Sequence, residues 1–179
     1  MAHIFAGLAR LSSRADLPVQ AAAVCYRQNG SSVEFLLVRT SSGKWTFPKG
    51  RLNPSVSASE SAAREAWEEA GARGQIAKKH FGSYIDTKRT LGHDSRTSEV
   101  RILTYLLEVY NTVAPEETGR YPTWYEAREA KKRLAEGRAS IYSKLIANIV
   151  DVALENLPKQ GKRSRVLART RGQSLAPVR

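Results

Sequence analysis

The sequence predicts an α/β (α+β) domain, on three observations. Strand-like apolar runs occur both before and after a segment of helical character. The longest amphipathic pattern, over 140–157, comes late in the chain. The 179 residues suit one domain with short extensions and suffice to bury a core. Strands interleaved with helices in this way build a sheet covered by helices.

The elements follow in order. AAAVCYR (21–27) and VEFLLVRT (33–40) read as two strands, and the Asn29-Gly30 step between them marks a hairpin. Trp45-Thr46-Phe47 is a short strand-like run stopped by Pro48. ESAAREAWEEA (60–70) is helix-forming and Gly71 ends it; Ser57 and Glu60 have capping-box spacing, so the helix begins slightly earlier. HFGSYID (80–86) and RILTYLLEVY (101–110) read as strands separated by a polar, flexible 87–100. WYEAREAKKRLAE (124–136) reads as helix. In SIYSKLIANIVDVALENL (140–157), Ile141, Leu145, Ile146, Ile149, Val152 and Ala153 share one face, with Ser140 as the cap.

The net charge is +12, and residues 157–179 hold seven Lys/Arg and no acid, so much of the excess lies in a tail. Such a run is either a solvated, flexible tail or an arm that contacts nucleic acid. One cysteine, Cys25, excludes a disulfide framework or a cysteine-built zinc site, and in a buried strand it is inert packing. No segment approaches the ~20 apolar residues of a membrane span, and the N-terminus lacks a signal-peptide core. These features predict a cytoplasmic protein that does not enter a membrane. No GxxxxGK[ST] loop suggests a kinase or ATPase.

The informative segment is FPKGRLNPSVSASESAAREAWEEAGA (47–72). On a helix, Glu65, Glu68 and Glu69 fall at i, i+3 and i+4, so their carboxylates share a face and repel. Such a face is either solvated or compensated by a hard divalent cation, which takes carboxylate oxygens together with phosphate and water.

Arg64-Glu65-Ala66-Trp67-Glu68-Glu69-Ala70-Gly71-Ala72 resembles the REUxEExGU half of the Nudix box, and Gly50 lies fourteen residues before Arg64, where that box opens. One departure is Val56, which stands where the box usually has glutamate; Glu60 is expected to replace it by pairing with Arg64. The surrounding AAAVCYR, EFLLVRTSSGKWTFPKG and PEETGRYPTWYEAREAKKRL resemble the diphosphoinositol-polyphosphate and dinucleoside-polyphosphate phosphohydrolase branch. The resemblance spans about 19–156. It implies a Nudix fold: a mixed β-sheet sandwiched between helices, with a catalytic loop-helix-loop. The chain then divides into an N-terminal extension (1–18), a Nudix hydrolase domain (19–157) and a basic tail (158–179).

That resemblance also implies metal-dependent hydrolysis of a P–O–P bridge, with Mg²⁺ or Mn²⁺ offsetting charge on the phosphate oxygens. The implied substrate is a phosphate-rich small molecule, a diphosphoinositol polyphosphate or a dinucleoside polyphosphate. Alternatives are removal of pyrophosphate from RNA 5′ ends and a catalytically silent nucleotide-binding or nucleic-acid-binding module. Glu65, Glu68 and Glu69 are the implied metal ligands, together with the Gly50 carbonyl. One of the three carboxylates takes the proton from the attacking water, and Arg64 orients them. A further acid from outside the box is Glu99, Glu116 or Glu117. Substrate phosphates would meet Lys49, Arg51 and Arg120 first, then Arg27, Arg39 and Lys44, with Arg101 nearby. Trp45 and Trp124 are either stacking platforms or core residues, and the core is the commoner fate.

Overall fold

The computed structural model describes residues 17–89 and 97–158. The expectations for the N-terminal extension and the basic tail fall almost wholly outside these residues. Strands β1 (Val19–Asn29) and β2 (Ser32–Arg39) form the expected hairpin, closing at the Asn29–Ser32 pair. After β3 (Trp45–Thr46) and β4 (Lys49–Arg51) comes helix α1 (Ala58–Ala70), followed by β5 (Ala72–Ile76), β6 (Gly82–Arg89) and β7 (Thr97–Thr112). Strand β8 (Thr123–Glu126) then leads into α2 (Ala127–Ala135) and α3 (Ser140–Asn156).

The sheet is mixed. Its main path runs β3-β2-β1-β7-β5, with β4 added to β1, β6 to β7 and β8 to β2. Strands β1 and β7 are parallel and the other pairs antiparallel. The uninterrupted apolar run of β1 is explained by burial on both faces. Ala21, Ala23 and Cys25 pack with Leu36 and Val38 beneath Ala62, Ala66 and Ala70 of α1. Ala22, Val24 and Tyr26 join Phe35 and Leu37 on the opposite face, under Leu134 of α2 and Ile146, Ile149 and Val150 of α3. The α1 side is thus built largely from alanine methyls on both partners. Cys25 is fully buried, and burial pushes its thiol well above the ordinary range, consistent with inert packing. Among the described residues no helix is long and apolar enough to cross a membrane.

Several expectations need correction. The 124–136 segment is not helical from its start: Trp124 and Tyr125 form a strand that pairs with Leu36 and Phe35, as β-favouring aromatics beside an open sheet edge do. Parts of the polar 87–100 stretch are strand, because β6 and β7 extend their antiparallel ladder through Thr87–Glu99 and on to Arg89–Thr97. On α3 the buried residues are Ile146, Ile149, Val150 and Ala153, whereas Ile141 and Leu145 are exposed. Ser140 is the first helical residue, and the N-cap is Ala139 without a side-chain bond.

The capping box of α1 is present: Ser57 accepts from the Glu60 backbone N–H, and Glu60 accepts from the Ser57 N–H at 2.8 Å. Glu60 is thereby committed to the cap and does not hold Arg64. That role falls to Glu68, whose Oε1 lies 2.6 Å from Arg64 Nε. In the loop carrying the exposed Val56, Asn53 Oδ1 accepts from the Ser55 N–H and Asn53 N–H donates to Ser61 Oγ. The loop entering α1 is therefore ordered without a glutamate at position 56.

Gly71 ends α1 with φ +61°, in the left-handed region, and a Cβ there would strike the Val113 carbonyl. Gly30 has a similar φ, +59°, and open space around it. Gly30→Ala is expected to cost about 1 kcal/mol, the backbone contribution alone. Gly71→Ala should cost at least about 2 kcal/mol, lowering Tm by several degrees. Equal losses in a thermal melt would show that the approach of residue 113 places no demand on position 71.

Candidate active site

The carboxylate face of α1 meets two other segments. One is β4, paired to β1 through Gly50–Ala21 and Lys49–Ala22. A Cβ on Gly50 would overlap the Glu65 carboxylate, so a larger residue there would push that carboxylate out of its position. One residue earlier, the Lys49 backbone N–H donates to Glu69 Oε2 at 3.2 Å. The second segment, 113–122, is laced over the end of the helix. Val113 N–H donates to the Gly71 carbonyl, Glu117 N–H to the Glu68 carbonyl, and Arg39 N–H to the Arg120 carbonyl. This lacing delivers Arg120, whose Nη2 lies 2.6 Å from both Glu69 Oε1 and Glu117 Oε2.

Glu69, placed on an exposed face by the helical pattern, is in fact 3% exposed. Burial raises its affinity for protons, against the opposing pull of Arg120 and Lys49. Glu65 is half-buried and pushed up to about 7, first by burial and then by the charges of Glu69, Glu68 and Glu117, with Arg120 opposing. Negative charge that Arg120 and Arg64 offset only in part thus accumulates between α1 and Gly50. The donors there are all oxygen, which suits a hard divalent cation. Among the described residues, no three acidic, histidine or cysteine side chains converge as a ready-made cage. Glu68 faces Arg64, and Arg120 occupies the compensating position beside Glu69.

Glu69, Lys49 and Arg120 open onto a cleft of about 850 Å³, which Lys44 also lines. The other expected phosphate contacts do not line it. Arg27 pairs with Glu34 at 2.7 Å and stacks on Trp124, an arrangement that occupies its charge elsewhere. Arg39 lies over Trp45 and lines a smaller neighbouring pocket of about 260 Å³. Arg51 is exposed at the end of β4, and Arg101 lies within the β6–β7 ladder. Trp45 is core, edge-on to Tyr125, and Trp124 packs against the α1-side cluster. Of the outside acids, Glu117 reaches the site through Arg120, Glu116 accepts from Trp67 Nε1 at 2.6 Å, and Glu99 is exposed on β7 and does not line the cleft.

The far half of the cleft contains residues that the motif did not indicate: Asp86 and Thr87 on β6, Arg138, and Tyr142 on α3. Asp86 lies 3.5 Å from Lys49 Nζ. Arg138 donates to the carbonyls of Leu134 and Trp45, and Tyr142 hydrogen-bonds Thr87 through its hydroxyl. Thr46 forms part of the wall, and its Oγ1 is buried without a hydrogen bond of ordinary geometry, although it lies near the Tyr84 hydroxyl. No sequence spacing links these residues; the β6 ladder and the start of α3 bring them together.

Residues 16–145 match the model of the NUDIX domain family. Among solved structures, the NUDIX domain of Shewanella oneidensis NrtR complexed with ADP ribose is similar at 15% identity and TM-score 0.57, covering 79% of this chain and 89% of that one. A NUDIX hydrolase from Nitrosomonas europaea is similar at 22% identity and TM-score 0.54, covering 79% and 93%. A C. elegans Ap4A hydrolase in a binary complex is similar at 24% identity and TM-score 0.50, covering 76% and 98%.

The charge accumulation has a measurable effect on stability. Glu65 binds its proton more tightly folded, at about 7, than at the ordinary 4.5. Stability of the metal-free protein should therefore fall as pH rises from about 4.5 to 7 and level off above. Glu65→Gln, which cannot ionise, is expected to be more stable than the parent by about 1–2 kcal/mol at pH 8, roughly half the full shift because the side chain is half-exposed. The advantage should vanish below about pH 4.5. Denaturant titrations in a chelator at both pH values check this, and an advantage that does not depend on pH would contradict it.

Proposed function

The chain belongs to the Nudix family, whose members generally work with a divalent metal ion, and we propose that it is a pyrophosphohydrolase that opens the P–O–P bridge of a phosphate-rich small molecule. The reading rests chiefly on one observation: Glu69, on the carboxylate face of α1, lines the same cleft as Lys44, Lys49 and Arg120. Both finer substrates of the resembled branch, dinucleoside polyphosphates and diphosphoinositol polyphosphates, present a diphosphate to such a site. The domain responsible is 19–157.

In this reading Glu65, Glu69 and Glu68, with the Gly50 carbonyl, hold Mg²⁺ or Mn²⁺. When bound, the ion supplies charge compensation to the phosphate oxygens around the bridge. The chain's own groups do the rest. Arg64 keeps Glu68 oriented through their 2.6 Å pair. Lys49 fixes Glu69 with its backbone N–H and offers its ammonium to the cleft. Arg120 presents a planar guanidinium, suited to two phosphate oxygens, and contacts substrate once the negative charge on Glu69 is balanced otherwise. One of the three glutamates takes the proton from the attacking water. The water oxygen bonds to one phosphorus of the bridge as the bond from that phosphorus to the bridging oxygen breaks, and the second phosphate leaves with that oxygen.

A phosphate-release panel with Mg²⁺ or Mn²⁺ tests the reading, using diadenosine tetraphosphate, a diphosphoinositol pentakisphosphate, ADP-ribose and 5′-triphosphorylated RNA. Turnover on small molecules that a chelator abolishes is expected. Release from the RNA alone would replace this reading with the RNA one, and no turnover on any compound would favour a silent binding module. Glu69→Gln should lower turnover at least about a hundredfold. Near-normal rates at saturating metal would remove Glu69 from the site.

A further inference from the structure

We propose that Asp86 is the ribose-selecting residue of the cleft: its carboxylate accepts hydrogen bonds from the hydroxyl pair of a nucleoside whose phosphates lie at Lys49 and Arg120. The proposal rests on the phosphohydrolase reading above for which end of the cleft receives phosphate. It separates the two substrate classes that reading leaves together, assigning the site to nucleoside-linked diphosphates.

Position is the first argument. Lys49 spans the two halves of the cleft: its backbone N–H holds Glu69, and its ammonium lies 3.5 Å from Asp86. Asp86 therefore stands one lysine side chain from the carboxylate end. In a nucleotide, the ribose is the first hydroxyl-bearing group beyond the phosphates. A ligand with its diphosphate at Lys49 and Arg120 thus brings its ribose, before its base, to Asp86. The carboxylate is 27% exposed on its side chain and lines the cleft, so it is open to a ligand.

Charge is the second. The donors of Arg138 go to two backbone carbonyls, although its charge is felt at Asp86, and Arg120 is shared by Glu69 and Glu117. Other nearby lining groups, Thr87 and Tyr142, are neutral hydroxyls. A ring bearing phosphate on every carbon offers Asp86 like charge and no donor, which repels it. Ribose offers two O–H donors, and hydrogen bonds to a charged acceptor are among the stronger ones.

Equilibrium binding, measured without turnover, tests the assignment. ADP and 2′,3′-dideoxy-ADP are titrated into the full chain and into the Asp86→Ala and Asp86→Asn variants. The parent should bind ADP about tenfold or more tightly than the dideoxy form, the size of a hydrogen bond to a charged group. Asp86→Ala should abolish most of that preference, and it should tighten the binding of inositol hexakisphosphate severalfold. A parent indifferent to the ribose hydroxyls overturns the proposal without need of a variant. So does an unchanged preference in folded variants, or hexakisphosphate binding that loss of Asp86 leaves unaltered. Ribose discrimination with no turnover on the panel would sink the hydrolase reading and leave this one standing; turnover without discrimination would do the reverse.

Discussion

The structure depends on keeping a buried carboxylate, Glu69, at the C-terminal end of a helix. The position is doubly unfavourable. Burial removes solvation, and the last turn of a helix carries partial negative charge with no basic residue in that turn to offset it. Compensation comes from outside the helix, from Arg120 and the Lys49 N–H. Both depend on long-range features: the lacing of 113–122 over α1, and the pairing of β4 with β1. The sheet topology therefore decides whether the charge can be borne.

The same arrangement orders the cleft. Glu65 is pressed against Gly50, Glu68 is claimed by Arg64, and Arg120 stands between Glu69 and Glu117. An arginine at that point performs as a charge what a cation performs as a ligand-bound ion: it neutralises Glu69. In that one position Arg120 both pairs with Glu69 and lines the cleft. Tyr121, next to it, has φ +49°, unusual for a non-glycine residue. The backbone that presents Arg120 is thus held in a sparsely populated conformation by the contacts on either side.

Much of this was legible in the sequence, and the gaps have physical causes. The β1–β2 hairpin, the capped α1 and the carboxylate face carry local signals: alternation, an Asn-Gly turn, a capping box, i to i+4 spacing. Strands β4 and β5 carry none, because Lys49-Gly50-Arg51 and Ala72–Ile76 are held by backbone pairing with β1 and β7 rather than by an apolar pattern. Trp124 favoured a helix when read beside the alanines that follow it; the open edge of β2 decided otherwise. Exposure of Ile141 and Leu145 shows that a broad apolar stripe need not be fully covered. The burial of Glu69 was invisible because it comes from residues fifty positions downstream. Asp86, Arg138 and Tyr142 meet only through tertiary structure, and no spacing could have joined them to the motif.

The alanine-on-alanine contact between α1 and β1 shapes how the site can drift under mutation. Ala62, Ala66 and Ala70 against Ala21 and Ala23 have almost nothing left to truncate, so this interface scarcely offers the cavity-forming losses by which cores usually fail. Its vulnerability runs the other way. Any added methylene must lift the helix from the sheet, since interiors packed this closely do not absorb volume. Lifting α1 would part Glu65 from Gly50 and Glu69 from the Lys49 amide together. Heritable variation in this chain should accordingly be filtered by size at five small positions that do not line the cleft, and a chain that enlarges one of them would keep its fold while its carboxylates lose their registration with the strand.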